Sequence, residues 1–161
     1  MGLFDTAKAT FTGNKAYRAH VDGNKLAGEG KRQEAAEKYR TALRLYGEAM
    51  SGGGAVAQNI QRAYAVLLMR EGDFEKAGEL MQQISKQKPM SKDDWFELRI
   101  DYSIYLWKTG QIDQAIETIG RAAAYKMNGN IYGTLGMYWV DKAKKTGDFQ
   151  AALDFNQKAM D

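Results

Sequence analysis

The chain has 161 residues, of which 44% are apolar, and this is enough for one domain with a buried core. It contains no cysteine and a single histidine, which excludes disulfides, thiolate zinc sites, cysteine nucleophiles and multi-histidine metal sites. The net charge of +3 is not gathered into a basic stripe, and no apolar run approaches the roughly 20 residues of a membrane span.

These features predict no cofactor, no metal, no nucleic-acid partner and no membrane partner. The first residues lack the charged start and apolar core of a secretory signal, so the expected location is cytoplasmic. The start Met1-Gly2 through Thr6 matches a short myristoylation pattern, but a weakly docked leader over residues 1–13 is the preferred interpretation.

Apolar periodicity and breaks in it predict four helix–turn–helix hairpins along the rest of the chain. The first helices of the pairs are predicted at residues 14–28, 55–71, 92–109 and 130–146. The second helices are predicted at residues 31–50, 73–87, 111–126 and 148–160. Ser91 is predicted to begin the fifth of these helices, because Asp94 follows at the spacing of a capping box.

A glycine lies in each predicted hairpin turn, at Gly30, Gly72, Gly110 and Gly147. Each follows one helical pattern and precedes another, which is typical of a residue past a helix end with a positive φ. Counted from these glycines, several positions repeat in character. Alanine stands five residues after each glycine, at Ala35, Ala77, Ala115 and Ala152. Small residues seven before it are Gly23, Ala65, Ser103 and Val140. We interpret these positions as sites where helices approach closely.

This pattern resembles the tetratricopeptide repeat family over residues 16–161. The resemblance implies an all-α, right-handed superhelix of about eight antiparallel helices, within a single domain spanning 1–161. The implied repeats cover about 14–50, 55–89, 91–127 and 129–161. The glycines are 42, 38 and 37 residues apart, which exceeds the family's usual repeat of about 34 and marks the chain as divergent.

In that family the first helix of each pair lines a concave groove, so the resemblance implies where a partner would bind. The implied groove residues are Tyr17, His20, Val21, Asn24, Asn59, Arg62, Val66, Met69, Arg70, Glu97, Ile100, Asp101, Ile104, Lys108, Met137, Tyr138 and Asp141. The apolar members fit an extended peptide or an amphipathic helix.

Some of these residues fit the core as well as the groove. The pattern favours neither alternative for Val66, Ile100 and Ile104. Met69, Tyr138 and Arg62 are expected in the groove, because methionine and aromatic residues are common at adaptable contact surfaces. His20 could respond to pH, but a lone histidine on a helix is more often an ordinary polar contact.

The last predicted helix keeps apolar residues where a following hairpin would pack, at Leu153 and Met160. We expect either a longer solenoid or pairing of this end with another copy, as a homodimer through the C-terminal helix. The leading functional hypothesis is a non-catalytic scaffold that binds a protein or peptide in its groove. The alternative is a module for self-association or tethering within a longer repeat protein, and an enzyme is not expected.

Overall fold

The computed structural model describes residues 2–87, 90–126 and 129–160. These residues form eight α-helices and no strand: α1 (Leu3–Gly28), α2 (Arg32–Ser51), α3 (Gln58–Arg70), α4 (Phe74–Lys86), α5 (Lys92–Lys108), α6 (Ile112–Tyr125), α7 (Gly129–Thr146) and α8 (Gln150–Met160). Consecutive helices pack as four hairpins, which confirms the predicted all-α hairpin repeat.

The chain divides into two compact units, residues 1–87 and 88–161, with two hairpins in each. In the first unit, α1 also contacts α3, and α2 contacts α3. In the second unit, α6 packs on α7. The single domain expected from the sequence stays a prediction. None of the helices, over the described residues, has the length and apolar character needed to cross a membrane.

The four hairpin turns contain the predicted glycines, and all four have φ between 78° and 87°. At Gly30 the turn is closed by two hydrogen bonds, from the Lys31 amide to the Leu26 carbonyl at 2.9 Å and from the Gly30 amide to the Ala27 carbonyl at 3.1 Å. This is a Schellman motif, and its positive φ would strain any residue with a Cβ. The same pair of bonds recurs at Gly72 and Gly110.

The repeated alanines are buried in all four hairpins, as the sequence predicted. Gly23 shows why a small residue is needed at its position, since a Cβ there would lie 2.6 Å from Cε1 of Tyr39 on the paired helix. Ser91 caps α5 as predicted, because its Oγ accepts a hydrogen bond from the Asp94 amide at 3.0 Å.

Helix α1 is much longer than expected, because it begins at Leu3 instead of near residue 14. Residues 3–13, predicted as a weakly docked leader, form the first turns of α1. Ala9 and Gly13 are buried, and a Cβ on Gly13 would lie 3.0 Å from Cγ2 of Ile60 on α3. Small side chains let this part of α1 pack on the rest of the first unit, which makes its helical conformation stable.

Candidate partner-binding surface

The first helices of the two hairpins in the first unit share one surface, which we call the α1–α3 surface. On α1 it is formed by Tyr17, Val21 and Asn24, all of which are exposed. On α3 the stripe contains Asn59, Arg62, Val66 and Arg70, at the spacing of one helix face. Asn59 and Arg70 are exposed, whereas Arg62 and Val66 are half-buried. The surface is thus mixed, with exposed apolar groups on α1 and polar groups on α3.

A polar network at this surface joins the two helices. The side-chain oxygen of Asn24 accepts hydrogen bonds from the Tyr39 hydroxyl at 2.9 Å and from Arg70 Nη1 at 3.2 Å. The Arg70 guanidinium lies 4.0 Å from the centre of the Tyr39 ring, in a cation–π contact. Arg70 is therefore fixed in position at the edge of the surface.

His20 lies beneath the same network and is buried, with Nδ1 at 3.4 Å from the Tyr46 hydroxyl. Its ring makes edge contacts with Tyr39 and Tyr46, and Tyr46 stacks on Tyr64 of α3 at 5.2 Å between ring centres. Burial lowers the pKa of His20, and the positive charge of Arg70 lowers it further. Burial raises the pKa of Tyr46, so both rings stay neutral at physiological pH.

The second unit presents an equivalent surface, which we call the α5–α7 surface. Its exposed members are Glu97, Lys108 and Met137, and its half-buried members are Ile100, Asp101, Ile104 and Asp141. The apolar side chains of Ile100, Ile104 and Met137 lie among groups of both charges. This composition is again mixed.

Trp107 and Tyr138 tie α5 to α7 beneath this surface. Their rings stack with 5.7 Å between ring centres, and Trp107 Nε1 donates a hydrogen bond to Asp141 at 2.8 Å. Ser103 Oγ donates to the Ile100 carbonyl at 2.7 Å and lies 3.1 Å from the Tyr138 hydroxyl. Because the single Ser103 proton is used by Ile100, the Tyr138 hydroxyl is the donor to Ser103.

Electrostatic effects at this junction are local. Burial raises the pKa of Tyr138 to about 12. The hydrogen bond from Trp107 and a second one from Lys144 at 3.1 Å hold the pKa of Asp141 below its usual value. A shallow cleft beside Trp107 is lined by Lys108, Ile112, Asp141, Lys144 and Lys145, so lysines outnumber carboxylates there.

Three residues expected in the groove are not displayed to solvent. Tyr138 is fully buried between α5 and α7, and Met69 and His20 are also buried. This corrects the expectation of a groove position for Met69 and Tyr138. Tyr138 packs against Trp107 and Ser103 of α5, so it supports the surface from beneath. His20 is an ordinary polar contact, the interpretation that the sequence favoured.

Sequence reasoning missed two residues that shape these surfaces. Tyr39 is not among the residues predicted for the surface, yet its hydroxyl positions Asn24, and its ring positions Arg70. Trp107 was not assigned at all, although it lies one helical turn after Ser103 and so follows a close-approach position along α5. That spacing is the signal that could have found it.

At the C-terminal helix, Leu153 is 62% exposed and Phe149 in the preceding turn is 52% exposed. The apolar end predicted at Leu153 is therefore open to solvent. The side chain of Met160 lies outside the described residues. Asn156, three residues after Leu153, has its Oδ1 2.8 Å from the position that a Cβ on Gly136 of α7 would occupy.

Comparison with solved structures identifies a similar fold. YrrB, described as a TPR protein with an unusual peptide-binding site, matches with a TM-score of 0.62 at 16% sequence identity. The match covers 91% of this chain and 77% of that one. The fold is that of a tetratricopeptide-like helical repeat. No protein-family profile and no curated protein sequence matches the chain, which agrees with the long, divergent repeats read from the glycine spacing.

Proposed function

We propose that this protein is a non-catalytic interaction module that binds a peptide or helix of a partner protein on the first helices of its hairpins. The observation that carries the proposal is that those helices expose apolar side chains and are held in place by the hydrogen bonds and ring contacts beneath them. Tyr17 and Val21 are displayed by α1, and Met137 by α7. Pre-ordered surfaces of this kind bind with a smaller entropy loss than mobile ones.

The polar groups indicate what kind of segment would fit. Arg70 is held in place by Asn24 and Tyr39 at the edge of the α1–α3 surface. The cleft beside Trp107 in the second unit carries more lysines than carboxylates. A segment with apolar side chains, and with acidic side chains placed against Arg70 and against the lysines of this cleft, would therefore fit these two places, whereas Glu97 and Asp101 would repel an acidic side chain elsewhere on the α5–α7 surface. The peptide-binding site named for YrrB agrees with a protein or peptide as partner.

A catalytic role has little support from the residues available. The one histidine is buried against Tyr46, and its pKa is lowered, so it is poorly placed to act on a bound substrate. The expected cytoplasmic location and the expected absence of nucleic-acid and membrane partners remain part of this proposal.

The test is selection of binding peptides from a random displayed library, followed by affinity measurement on purified variants. Val21→Asp and Met137→Asp place a charge in the apolar part of each surface. For each selected peptide, we expect at least one of the two substitutions to weaken binding about tenfold or more, equivalent to ~1.4 kcal/mol.

Gln83→Asp on α4 and Ala124→Asp on α6 are the controls, because both positions are exposed on second helices. Helical content measured by circular dichroism should be unchanged in all four variants. Peptides that bind the Val21 and Met137 variants normally, or a library that yields no binder, would contradict the proposal.

A second function has its own supporting observation. Phe149, just before α8, and Leu153, within it, form an exposed apolar pair. We propose as the alternative that this helix associates with another copy or with a further repeat. Leu153→Lys should then lower the mass of the associated species in solution, whereas Val21→Asp should leave it unchanged.

A further inference from the structure

The outward face of α1 carries a stripe that no contact described so far uses. Its members recur at the alternating spacing of four and three residues that keeps side chains on one helix face. They are Phe4, Lys8, Phe11, Lys15 and Arg18, and every one of them is exposed. The buried face of α1, with Ala9, Ala16 and His20, lies on the opposite side of the helix.

Two large aromatic side chains on this stripe are open to solvent. Phe4 is 90% exposed and Phe11 is 62% exposed. Burial of a phenylalanine side chain removes a large apolar area from water, so covering this pair would be favourable. Lys15 Nζ lies 4.5 Å from the centre of the Phe11 ring, which keeps a cation beside the apolar surface.

The stripe is basic as well as apolar. It contains the three cations Lys8, Lys15 and Arg18. Asp22 continues the same face toward the C-terminal end of α1, but its carboxylate pairs with Lys38 at 3.8 Å. A partner for this face should therefore present apolar side chains together with acidic ones.

Helix α8 of this same chain presents that combination. Phe149 and Leu153 are exposed and lie one helical turn apart, and Asp148 and Asp154 flank them. Both carboxylates accept hydrogen bonds from uncharged groups of Gln150, at 3.1 Å to Asp148 and 2.7 Å to Asp154. These bonds leave the negative charges in place for a basic partner.

We infer that α8 of one copy packs on the outward face of α1 of a second copy. This head-to-tail arrangement rests on the self-association proposed as the alternative function. Phe4 and Phe11 are about 10.5 Å apart along α1, from a rise of about 1.5 Å per residue, so Leu153 can pack between their rings beside the aliphatic part of Lys8. Asp154 then lies near the lysines on either side of Phe11.

The charges argue against the symmetric alternative. A contact of α8 with α8 would bring Asp148 and Asp154 of both copies together, and like charges across an interface are unfavourable. The head-to-tail contact pairs opposite charges instead. Such an interface is heterologous, so each copy has one donor surface and one acceptor surface. Association should weaken as salt rises, because the cations and carboxylates are exposed.

The test uses analytical ultracentrifugation of the full chain and of two variants. Phe11→Asp damages the acceptor surface and Leu153→Lys damages the donor surface. We expect the wild-type mass to rise with concentration and each variant alone to stay monomeric. An equal mixture of the two variants should form a dimer, because each supplies the surface that the other lacks.

The remaining outcomes distinguish the two proposals. Loss of association in the Leu153 variant alone would overturn the head-to-tail contact and leave self-association through α8 intact. A wild-type chain that stays monomeric up to millimolar concentration would overturn both. Two monomeric variants that form no dimer on mixing would also overturn the head-to-tail contact.

Matched controls keep the result interpretable. Gln33→Asp on α2 changes an exposed residue elsewhere and should leave association unchanged. Circular dichroism should confirm equal helical content in every variant. A charge exchange gives a second test, since Lys15→Asp and Asp154→Lys should each weaken association, and the chain carrying both changes should recover most of it.

Discussion

The two units solve the same packing problem with aromatic residues from different places. In the first unit, Tyr39 fills the space beside Gly23 of its own hairpin, and its hydroxyl bonds Asn24. In the second unit, the position equivalent to Gly23 is Ser103, and the aromatic residue bonded there is Tyr138 of the following hairpin. In the first unit the aromatic residue lies on the second helix of the same hairpin and reaches the next hairpin through Arg70, whereas in the second unit it lies on the first helix of the following hairpin.

This difference explains the different character of the two surfaces. Closing the first hairpin with Tyr39 leaves Asn24 and Arg70 at the surface, joined by polar contacts. Joining the hairpins of the second unit with Tyr138 and Trp107 leaves Met137 and the lysine-lined cleft exposed. A repeated backbone can therefore present different chemistry when one large side chain moves from the second helix of a hairpin to a neighbouring first helix.

The largest effect should follow from removing the aromatic residue that joins the second unit. Tyr138→Ala should lower the free energy of unfolding by about 3–5 kcal/mol, as for other large-to-small core changes. Met137→Ala at the adjacent, exposed position should change it by about 0.5 kcal/mol or less. Urea denaturation followed by circular dichroism measures both. Similar losses for the two variants would show that Tyr138 is not the residue that holds α7 in place.

A smaller effect should follow from removing the side-chain oxygen of Ser103, which is the hydrogen-bond partner of the Tyr138 hydroxyl. Ser103→Ala leaves the buried Tyr138 hydroxyl without an acceptor and should cost about 1–3 kcal/mol of unfolding free energy. Tyr138→Phe should cost less, since Ser103 still donates to the Ile100 carbonyl. The same denaturation measurement compares the two. A greater loss in the phenylalanine variant would reverse the donor and acceptor assigned to this bond.

The close contact in the first unit can be tested with two glycines of α1. Gly23→Ala should destabilise the unit, because overpacking costs about 1–3 kcal/mol and exceeds the gain in helix propensity. Gly28→Ala, where a Cβ meets nothing within 4 Å, should stabilise it slightly. Thermal unfolding gives the sign of each change. A stabilising Gly23 variant would mean that Tyr39 can move aside at little cost.

The smallest expected effect is a pH dependence of the stability of the first unit. Because the pKa of His20 is lowered in the folded state, the unfolded chain binds a proton first as pH falls below the ordinary value of 6.5. Stability should therefore be complete above that pH and decline from there down to the folded-state pKa. His20→Gln should remove this part of the pH dependence. Denaturation curves between pH 5 and 8 measure it, and unchanged pH dependence in the variant would contradict the assignment.

The repeat itself could be predicted because its turns impose local chemistry. A glycine with positive φ and a small residue at each close approach leave a signal that one sequence is enough to reveal. All four turn glycines and all four alanines took the predicted roles. The start of α1 was harder to predict, since Ala9 and Gly13 become buried only through contacts with distant helices.

The sequence does not reveal in the same way which face of each first helix is buried. The position three residues before the turn glycine holds Ala27, Met69, Trp107 and Lys144 in the four repeats. No shared character marks that position as core or surface, so the burial of Met69 is set by its neighbours. Tyr138 occupies the position of Val21 and Asp101 in other repeats, and its burial depends on Trp107 and Ser103.

The central claim is that partners bind to the first helices of the hairpins. Its most direct test is a ¹H–¹⁵N NMR titration of the chain with a peptide obtained by selection. We expect the largest shift changes at the amides of the α1–α3 surface near Tyr17 and Val21, of the α5–α7 surface near Met137, or of both. Changes concentrated on the second helices α2, α4 and α6, with those surfaces unaffected, would contradict the claim.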